Sequence, residues 1–166
     1  MSRFEPKNPD FRKIATATFE RQRAMQTLGI SIARLEPGEV DLKMDYRPDL
    51  TQQHGFIHAG IVTAGLDTAC GIAAFTLMPA AAGILTVEFK TNLLAPARGE
   101  RFAFRATVIK PGRTLTVCEA RAYATQDGAE TLIATMSGTL MALAGRERQS
   151  GRPGLTLLQC ILMLSA

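Results

Sequence analysis

The chain has 166 residues, of which 46% are hydrophobic and 20% charged, as expected for one globular domain rather than a disordered chain. The net charge is +4, but the basic residues are scattered and tryptophan is absent, which argues against a nucleic-acid-binding surface. The sequence contains neither a membrane-length apolar run of about 18 residues nor a signal-peptide core, so we expect a cytoplasmic protein without membrane contacts.

Three cysteines, Cys70, Cys118 and Cys160, are spread along the chain. Their number and spacing match neither a disulfide framework nor a zinc site, so free thiols are expected. No other cluster of metal-ligating residues is evident, and we expect neither a metal nor another cofactor. Cys70 lies within a helical pattern without an evident histidine partner, which argues against a nucleophilic thiol.

The chain begins with a predicted helix and a predicted pair of strands. The helix spans about residues 10–28, with Asp10 as its cap and Gly29 as its stop. Residues 30–36 and 40–46 flank a Pro-Gly turn, which predicts two strands joined as a hairpin.

A polar loop, residues 47–56, leads into a long apolar segment, residues 57–78. This segment is rich in Ala and Gly and has the period and length of a buried helix of about 18–20 residues. Because glycine inside a helix costs about 0.5–1 kcal/mol relative to alanine, its glycines predict close packing against neighbouring backbone.

Four further strands are predicted after this helix. They span residues 84–94, 101–110, 115–125 and 131–143. A long antiparallel sheet wrapped around one buried helix is the economical arrangement, which predicts a single α+β domain over residues 1–144. Residues 145–166 form a charged segment and then a mostly apolar one, too short to span a bilayer, and we assign this extension no role.

Asp67 is the one acidic or basic residue between His58 and Glu88, in a segment that otherwise has a core composition. A carboxylate in such a place is costly unless it is paired, hydrogen-bonded or used in chemistry. Asp67 is therefore a candidate general base, and a structural aspartate is the alternative.

His58, Ala59 and Gly60 lead directly into the predicted helix. Unpaired N–H groups at a helix start can stabilise an oxyanion, and small residues let a ligand approach the backbone, although an ordinary helix start is the alternative. Asp67 lies eight residues beyond Ala59, about 12 Å along a helix, so one chain does not bring both groups to one carbonyl carbon. If both serve one reaction, the site needs a second subunit, which predicts a homodimer.

The polar loop offers further candidates. Gln52 and Gln53 carry amides that can hydrogen-bond a substrate carbonyl or a water, or stay solvated. His54 and His58 are the only histidines. Either can serve as a general base, and a structural role near the helix start is the alternative.

Four stretches of the chain match motifs of one known family. GFIHAGIVTAGLDTACGIAA is similar to a helix motif in which HGG and small apolar residues precede an Asp or Glu, and ILTVEFKTNLLAPARGE is similar to the strand after it. IKPGRTL and ATQDGAETLIATMSGTLMAL are similar to the last hairpin and strand. Over about residues 28–144 the chain resembles the hotdog-fold thioesterases, closest to the phenylacetic-acid-degradation and 4-hydroxybenzoyl-CoA thioesterase group. The resemblance implies a hotdog fold and hydrolysis of acyl-CoA thioesters.

The resemblance also implies roles for individual residues. Asp67 matches the catalytic carboxylate, a base toward water or a nucleophile, and Ala59 matches the residue whose N–H polarises the thioester carbonyl. Gln52 matches an Asn or Gln beside that carbonyl, and Thr86 matches a hydroxyl that positions water. In the family, carboxylate and helix start come from different subunits of a homodimer or a dimer of dimers. The substrate-binding candidates are His58, Gly60, Lys110, Arg113 and Arg98, the last three for CoA phosphates.

One departure and two other functions accompany this resemblance. HAG replaces HGG, so the N–H of Ala59 is kept while a methyl group is added. A hotdog enoyl-CoA hydratase is one alternative function, and it needs a histidine beside an acid. A non-catalytic acyl-CoA-binding protein is the other. Both aryl and aliphatic acyl groups fit the composition.

Overall fold

The computed structural model describes residues 3–143, so the predictions for Cys160 and for residues 145–166 concern residues outside this range. Two short helices precede two strands, and one long helix precedes four more. The bounds are α1 Phe11–Glu20, α2 Arg23–Leu28, β1 Ser31–Glu36, β2 Glu39–Asp45, a 3-10 turn Pro48–Leu50, α3 Ala59–Phe75, β3 Gly83–Leu93, β4 Arg101–Pro111, β5 Leu115–Gln126 and β6 Ala129–Leu143.

All six strands form one antiparallel sheet in the order β1-β2-β4-β5-β6-β3. Helix α3 packs across one face of this sheet. Alternate residues of β4 and β5 are buried on that face, among them Phe102, Phe104 and Ala120. The predicted α+β class is confirmed, and each predicted strand end lies within two residues of the observed one.

The N-terminal segment forms two helices instead of the single predicted one. Gln22 has extended backbone angles (φ −79°, ψ 95°), which ends α1 before α2 begins. Phe19 and Met25 are both buried. In one continuous helix, two side chains six residues apart are rotated by about 600° about the helix axis, which is about 240° beyond a full turn. Phe19 and Met25 would then point in different directions. The break lets both reach the core. Asp10 precedes α1 as predicted, but its side chain makes no capping hydrogen bond.

Close packing accounts for a glycine in the middle of α3. A Cβ atom placed on Gly65 would lie 2.7 Å from ring atoms of Phe104, a fully buried residue of β4. The absence of a side chain therefore sets how closely α3 approaches the sheet. A Cβ atom on Gly71, six residues further along the same helix, would meet nothing within 4 Å.

This difference predicts opposite effects of two identical substitutions. Gly65→Ala is expected to lower the free energy of unfolding by about 1–3 kcal/mol, because the methyl group overpacks the core. Gly71→Ala is the matched control and is expected to raise it by about 0.5–1 kcal/mol through helix propensity. Urea unfolding of both variants measures the two effects, and equal stability of the two variants would contradict the packing argument.

Candidate active site

Helix α3 begins with one backbone N–H group that is left unpaired. His58 caps the helix, and its Nδ1 accepts a hydrogen bond from the Gly60 N–H at 2.9 Å. The His58 carbonyl accepts hydrogen bonds from the N–H groups of Ile61 and Val62 at 2.9 and 3.2 Å. Within residues 3–143, the remaining N–H of the first turn, that of Ala59, has no partner. It is free to donate to a ligand.

The Ala59 residue lines a cavity of about 500 Å³, which we name the apolar cavity. Gln52 is its single polar lining residue, and the remainder are apolar, including Phe56, Val62, Leu93 and Ile133. The Gln52 Oε1 accepts the His54 N–H, which leaves the amide NH2 group of Gln52 free to donate. The cavity thus combines space for an uncharged group with two potential donors in its lining, the Ala59 N–H and the Gln52 amide.

Asp67 lies in the middle of α3 and is partly buried. The hydroxyl of Thr86, on β3, donates a hydrogen bond to Asp67 Oδ1 at 2.8 Å. No described residue donates to the other carboxylate oxygen, Oδ2. Asp67 and Thr86, two residues that the family resemblance had pointed to, are thus in contact although nineteen positions separate them in the sequence. One oxygen of the carboxylate is oriented, and the other is available to a water or a substrate.

The hydrogen bond to Asp67 predicts a role for Thr86 that substitution can test. Thr86→Val keeps the shape of the side chain and removes a hydrogen bond to a charged group, an interaction of about 1.5–3 kcal/mol. For the thioester hydrolysis that the resemblance implies, we expect kcat to fall by about 10- to 100-fold. Thr86→Ser keeps the hydroxyl group and should retain most of the wild-type kcat.

Thr91 provides the matched control for this substitution. It lies on the same strand, and its hydroxyl is buried without a hydrogen-bond partner. Thr91→Val is therefore expected to keep wild-type kcat. A loss of the same size in both valine variants would indicate a general effect on β3 and not a role of the Thr86 hydroxyl.

The two candidate groups lie apart within one chain. Gln52 and Ala59 line the apolar cavity, whereas Asp67 and Thr86 do not. The eight residues from Ala59 to Asp67 correspond to about 12 Å along α3. Within a single chain, the free N–H of Ala59 and the carboxylate of Asp67 are therefore too far apart to act on the same atom.

Strand β3 is an edge strand whose apolar side chains are exposed. Leu85, Val87, Phe89 and Leu93 each expose between 45% and 59% of their surface. The strand is eleven residues long and pairs with β6 on one side only. A long apolar edge with unpaired backbone groups is the kind of surface that pairs with another strand.

The structure separates the three candidates for phosphate binding. Arg98 lines a second cavity of about 680 Å³, which we name the polar cavity. His54 and Phe56 also line it. Lys110 lies near the end of β4, and Arg113 lies in the turn before β5. Because β4 begins just after Arg98, Lys110 and Arg113 are at the opposite end of the sheet.

Thiol and metal chemistry find no support among the described residues. Cys70 and Cys118 are buried and in contact, with the Cys118 thiol donating to the Cys70 carbonyl at 3.6 Å. Contact with Cys118 and burial both raise the pKa of the Cys70 thiol, which keeps it protonated. Residues 3–143 hold no cluster of His, Cys, Asp or Glu suited to a metal ion.

None of the helices within residues 3–143 is both long and apolar enough to cross a membrane.

Comparison with known proteins decides the family. The sequence model of the thioesterase superfamily matches residues 54–131. A protein of Saccharolobus solfataricus, provisionally named an esterase, is 35% identical over 112 residues, which cover 68% of this chain and 72% of that protein. A crystal structure of a thioesterase family protein from Silicibacter pomeroyi is 61% identical, with a TM-score of 0.81, and the match covers 81% of this chain and 99% of that one. The chain belongs to the thioesterase superfamily.

More distant structures share the fold of this superfamily member. The Escherichia coli PaaI protein from the phenylacetic acid degradation operon is 19% identical, with a TM-score of 0.74 over 82% of this chain and 95% of that one. The predicted hotdog fold is thereby confirmed, and the superfamily member is a thioester hydrolase acting on an acyl thioester.

Several residues around the apolar and polar cavities of this superfamily member were not among the predicted site residues. Phe56 adjoins both cavities, and Tyr46 and Glu100 line the polar one. Phe56 carries a detectable signal, because it is a large apolar residue in an otherwise polar loop. Tyr46 and Glu100 carry none, since a residue at a strand end is ordinarily solvated.

Proposed function

We propose that this thioesterase hydrolyses acyl-CoA thioesters at two equivalent sites, each shared by two copies of the domain over residues 1–144. The observation that carries the proposal is the unpaired N–H of Ala59 at the edge of the apolar cavity. Hydrolysis of a thioester passes through a tetrahedral intermediate with a negatively charged oxygen, and a preorganised N–H donor at a helix start stabilises that charge.

The reaction follows from the roles of four residues. The Ala59 N–H and the Gln52 amide donate to the carbonyl oxygen of the thioester, and Asp67 of the partner chain removes a proton from water. The water oxygen bonds to the carbonyl carbon, and the C–S bond breaks as the intermediate collapses. Asp67 then returns the proton to the CoA thiolate, and the carboxylic acid leaves. Thr86 holds Asp67 through its hydrogen bond and can accept one from the attacking water.

A twofold axis halfway between Ala59 and Asp67 would bring the two halves of the site together. Such an axis lies about 6 Å from each residue along α3, so each Asp67 falls opposite the Ala59 of the other chain. Asp67 contacts Thr86. Glu88 lies two residues further along β3, which is about 7 Å at about 3.4 Å per residue. Glu88 is the central residue of β3. Antiparallel pairing of β3 with its own copy about its centre therefore supplies the arrangement that catalysis needs.

The apolar cavity is the proposed site of the acyl group. Its lining carries no charged side chain, which favours an uncharged acyl chain or aryl ring. His58 and Gly60 shape the entrance beside Ala59, because the hydrogen bond between them fixes the first turn of α3. Arg98, Lys110 and Arg113 are the proposed basic residues for the phosphate groups of CoA.

Release of free thiol tests this function directly. Wild-type protein would be assayed with a chromogenic disulfide reagent across aryl and aliphatic acyl-CoA esters. We expect turnover of neutral acyl-CoAs and a much lower kcat/KM for esters such as malonyl-CoA, whose free carboxylate would be buried in an apolar cavity. Failure to hydrolyse any CoA ester would overturn the proposal.

Isotope incorporation separates the two roles open to Asp67. In a single turnover in ¹⁸O-labelled water, general-base catalysis places the label in the released acid and leaves the protein unlabelled. Nucleophilic attack by Asp67 would form an anhydride, and its hydrolysis at the aspartyl carbonyl would place label in the Asp67 carboxylate. Mass spectrometry of the peptide containing Asp67 is expected to find no label.

A further inference from the structure

We infer that residues 155–164 dock on an apolar patch of their own chain, on the sheet face opposite α3. We name this surface the outer patch, and it consists of Leu85, Leu115, Val117 and Met141. The inference goes beyond the proposed function and does not depend on it, because the outer patch and the proposed catalytic groups lie on opposite faces of the sheet.

Strand β5 supplies two side chains of the outer patch. The thiol of Cys118 donates to the carbonyl of Cys70 in α3, so Cys118 faces the helix. Because successive side chains of a strand point to opposite faces, Val117 and Leu115 point away from α3. They are 36% and 48% exposed. These two apolar side chains are therefore open on the outer face.

Strands β3 and β6 complete the outer patch. Thr86 donates to Asp67 of α3, so its neighbour Leu85, which is 46% exposed, points to the outer face. Met141 of β6 pairs with Leu115 on one side and with Leu85 on the other. Side chains directly opposite each other on one face of a sheet are in contact range, so the patch is continuous across three strands.

The outer patch lies at the end of the sheet where β6 ends. β6 ends at Leu143, two residues or about 7 Å beyond Met141. Further along β5 the same face carries the exposed charged residues Glu119 and Arg121. Residues 144–154 connect β6 to the apolar segment, and eleven extended residues span up to about 36 Å. Residues 155–164 can therefore reach every part of the outer patch.

The composition of residues 155–164 gives this segment a reason to dock. Eight of its ten residues are apolar. Apolar surface left in water costs about 25 cal/mol per Å², and ten residues are about half the length of a membrane-spanning helix. The outer patch offers apolar surface that residues 3–143 leave exposed.

A second copy of the domain fits the outer patch less well than this segment does. A stable interface between two proteins buries about 800 Å² on each partner. The outer patch has four side chains, each half-exposed or less, and the charged residues beside it limit its extent. A tethered segment within reach also docks without the loss of translational and rotational freedom that binding a separate molecule requires.

Disulfide trapping in the full chain tests the docking through a native thiol. Cys160 lies in the apolar segment, whereas Cys70 and Cys118 are buried. Leu115→Cys places a thiol on the outer patch. In a glutathione redox buffer, we expect a bond between position 115 and Cys160 of the same chain. Its effective concentration should be at least about tenfold higher than for Arg121→Cys.

Arg121→Cys is the matched control for reach alone. Arg121 is exposed on the same strand and face, about 20 Å from Leu115, and the segment can reach it. Non-reducing electrophoresis separates bonds within one chain from bonds between chains. Equal bonding at positions 115 and 121, bonding only between chains, or no bond at position 115 would overturn the inference.

The reactivity of Cys160 gives a second readout that needs no new thiol. Leu115→Asp places a charge in the outer patch and should release the segment, so alkylation of Cys160 is expected to become about tenfold faster. Arg121→Asp should change the rate by less than about twofold. Circular dichroism establishes that both variants keep the fold. The same alkylation rate in the wild type and Leu115→Asp would contradict the inference.

Discussion

Replacing Asp67 by asparagine is expected to lower kcat for thioester hydrolysis by about a thousandfold while the fold is retained. Asparagine has nearly the same shape as aspartate and can accept the hydrogen bond that Thr86 donates to Oδ1. It cannot take a proton from water, and loss of a general base typically costs a factor of about 10²–10⁴. Thiol release under substrate saturation measures the effect.

Asp10→Asn is the matched control for this substitution. Asp10 is exposed, and its side chain makes no capping hydrogen bond to α1, so wild-type kcat is expected. Circular dichroism and size-exclusion chromatography of both variants establish that fold and assembly are preserved. A wild-type kcat in the Asp67→Asn variant would contradict the assignment of Asp67 as the catalytic carboxylate.

Ala59→Pro and Asp67→Asn are expected to be nearly inactive alone and active when combined in one dimer. Ala59 is the first residue of α3, where proline fits the helix, so Ala59→Pro removes the unpaired N–H with little other change. In a mixed dimer, the chain with intact Ala59 receives intact Asp67 from its partner. One of the two sites is then complete, and about half of the wild-type activity per dimer is expected.

Differential affinity tags allow this mixed dimer to be purified after co-expression. Ala59→Gly is the control for position 59, because glycine keeps the N–H and should keep activity. A mixed dimer as inactive as its two parents would show that Ala59 and Asp67 act within one chain. A monomeric wild-type protein would overturn the shared site as well.

The fold was predictable from hydrophobic period because most of its strands present one buried face. On β4 and β5, buried and exposed residues alternate, and the strand bounds followed from this alternation. The N-terminal helix was predicted less well, since helix propensity does not reveal a break. That break depends on both Phe19 and Met25 reaching the core, which is a property of tertiary packing.

The site was predictable only in part, for a related reason. Asp67 was conspicuous as a charge in an apolar segment, and Gln52 was a candidate from its place in the polar loop. Thr86 came from the family resemblance alone. The free N–H of Ala59 could be expected from a helix start. Only the structure shows that His58 accepts hydrogen bonds from the N–H groups of the next three residues. The polar cavity could not be predicted, because Tyr46, Arg98 and Gln126 come from three distant segments.

The unpaired N–H of Ala59 has a consequence for mutational scanning. Every amino acid except proline carries a backbone N–H, so a saturation library at position 59 should tolerate small residues and register one categorical loss, at proline. Alanine scanning cannot detect the position at all, because it is already alanine. Tolerance of small residues combined with complete loss at proline is thus the genetic signature expected of a main-chain group that serves a thioester substrate.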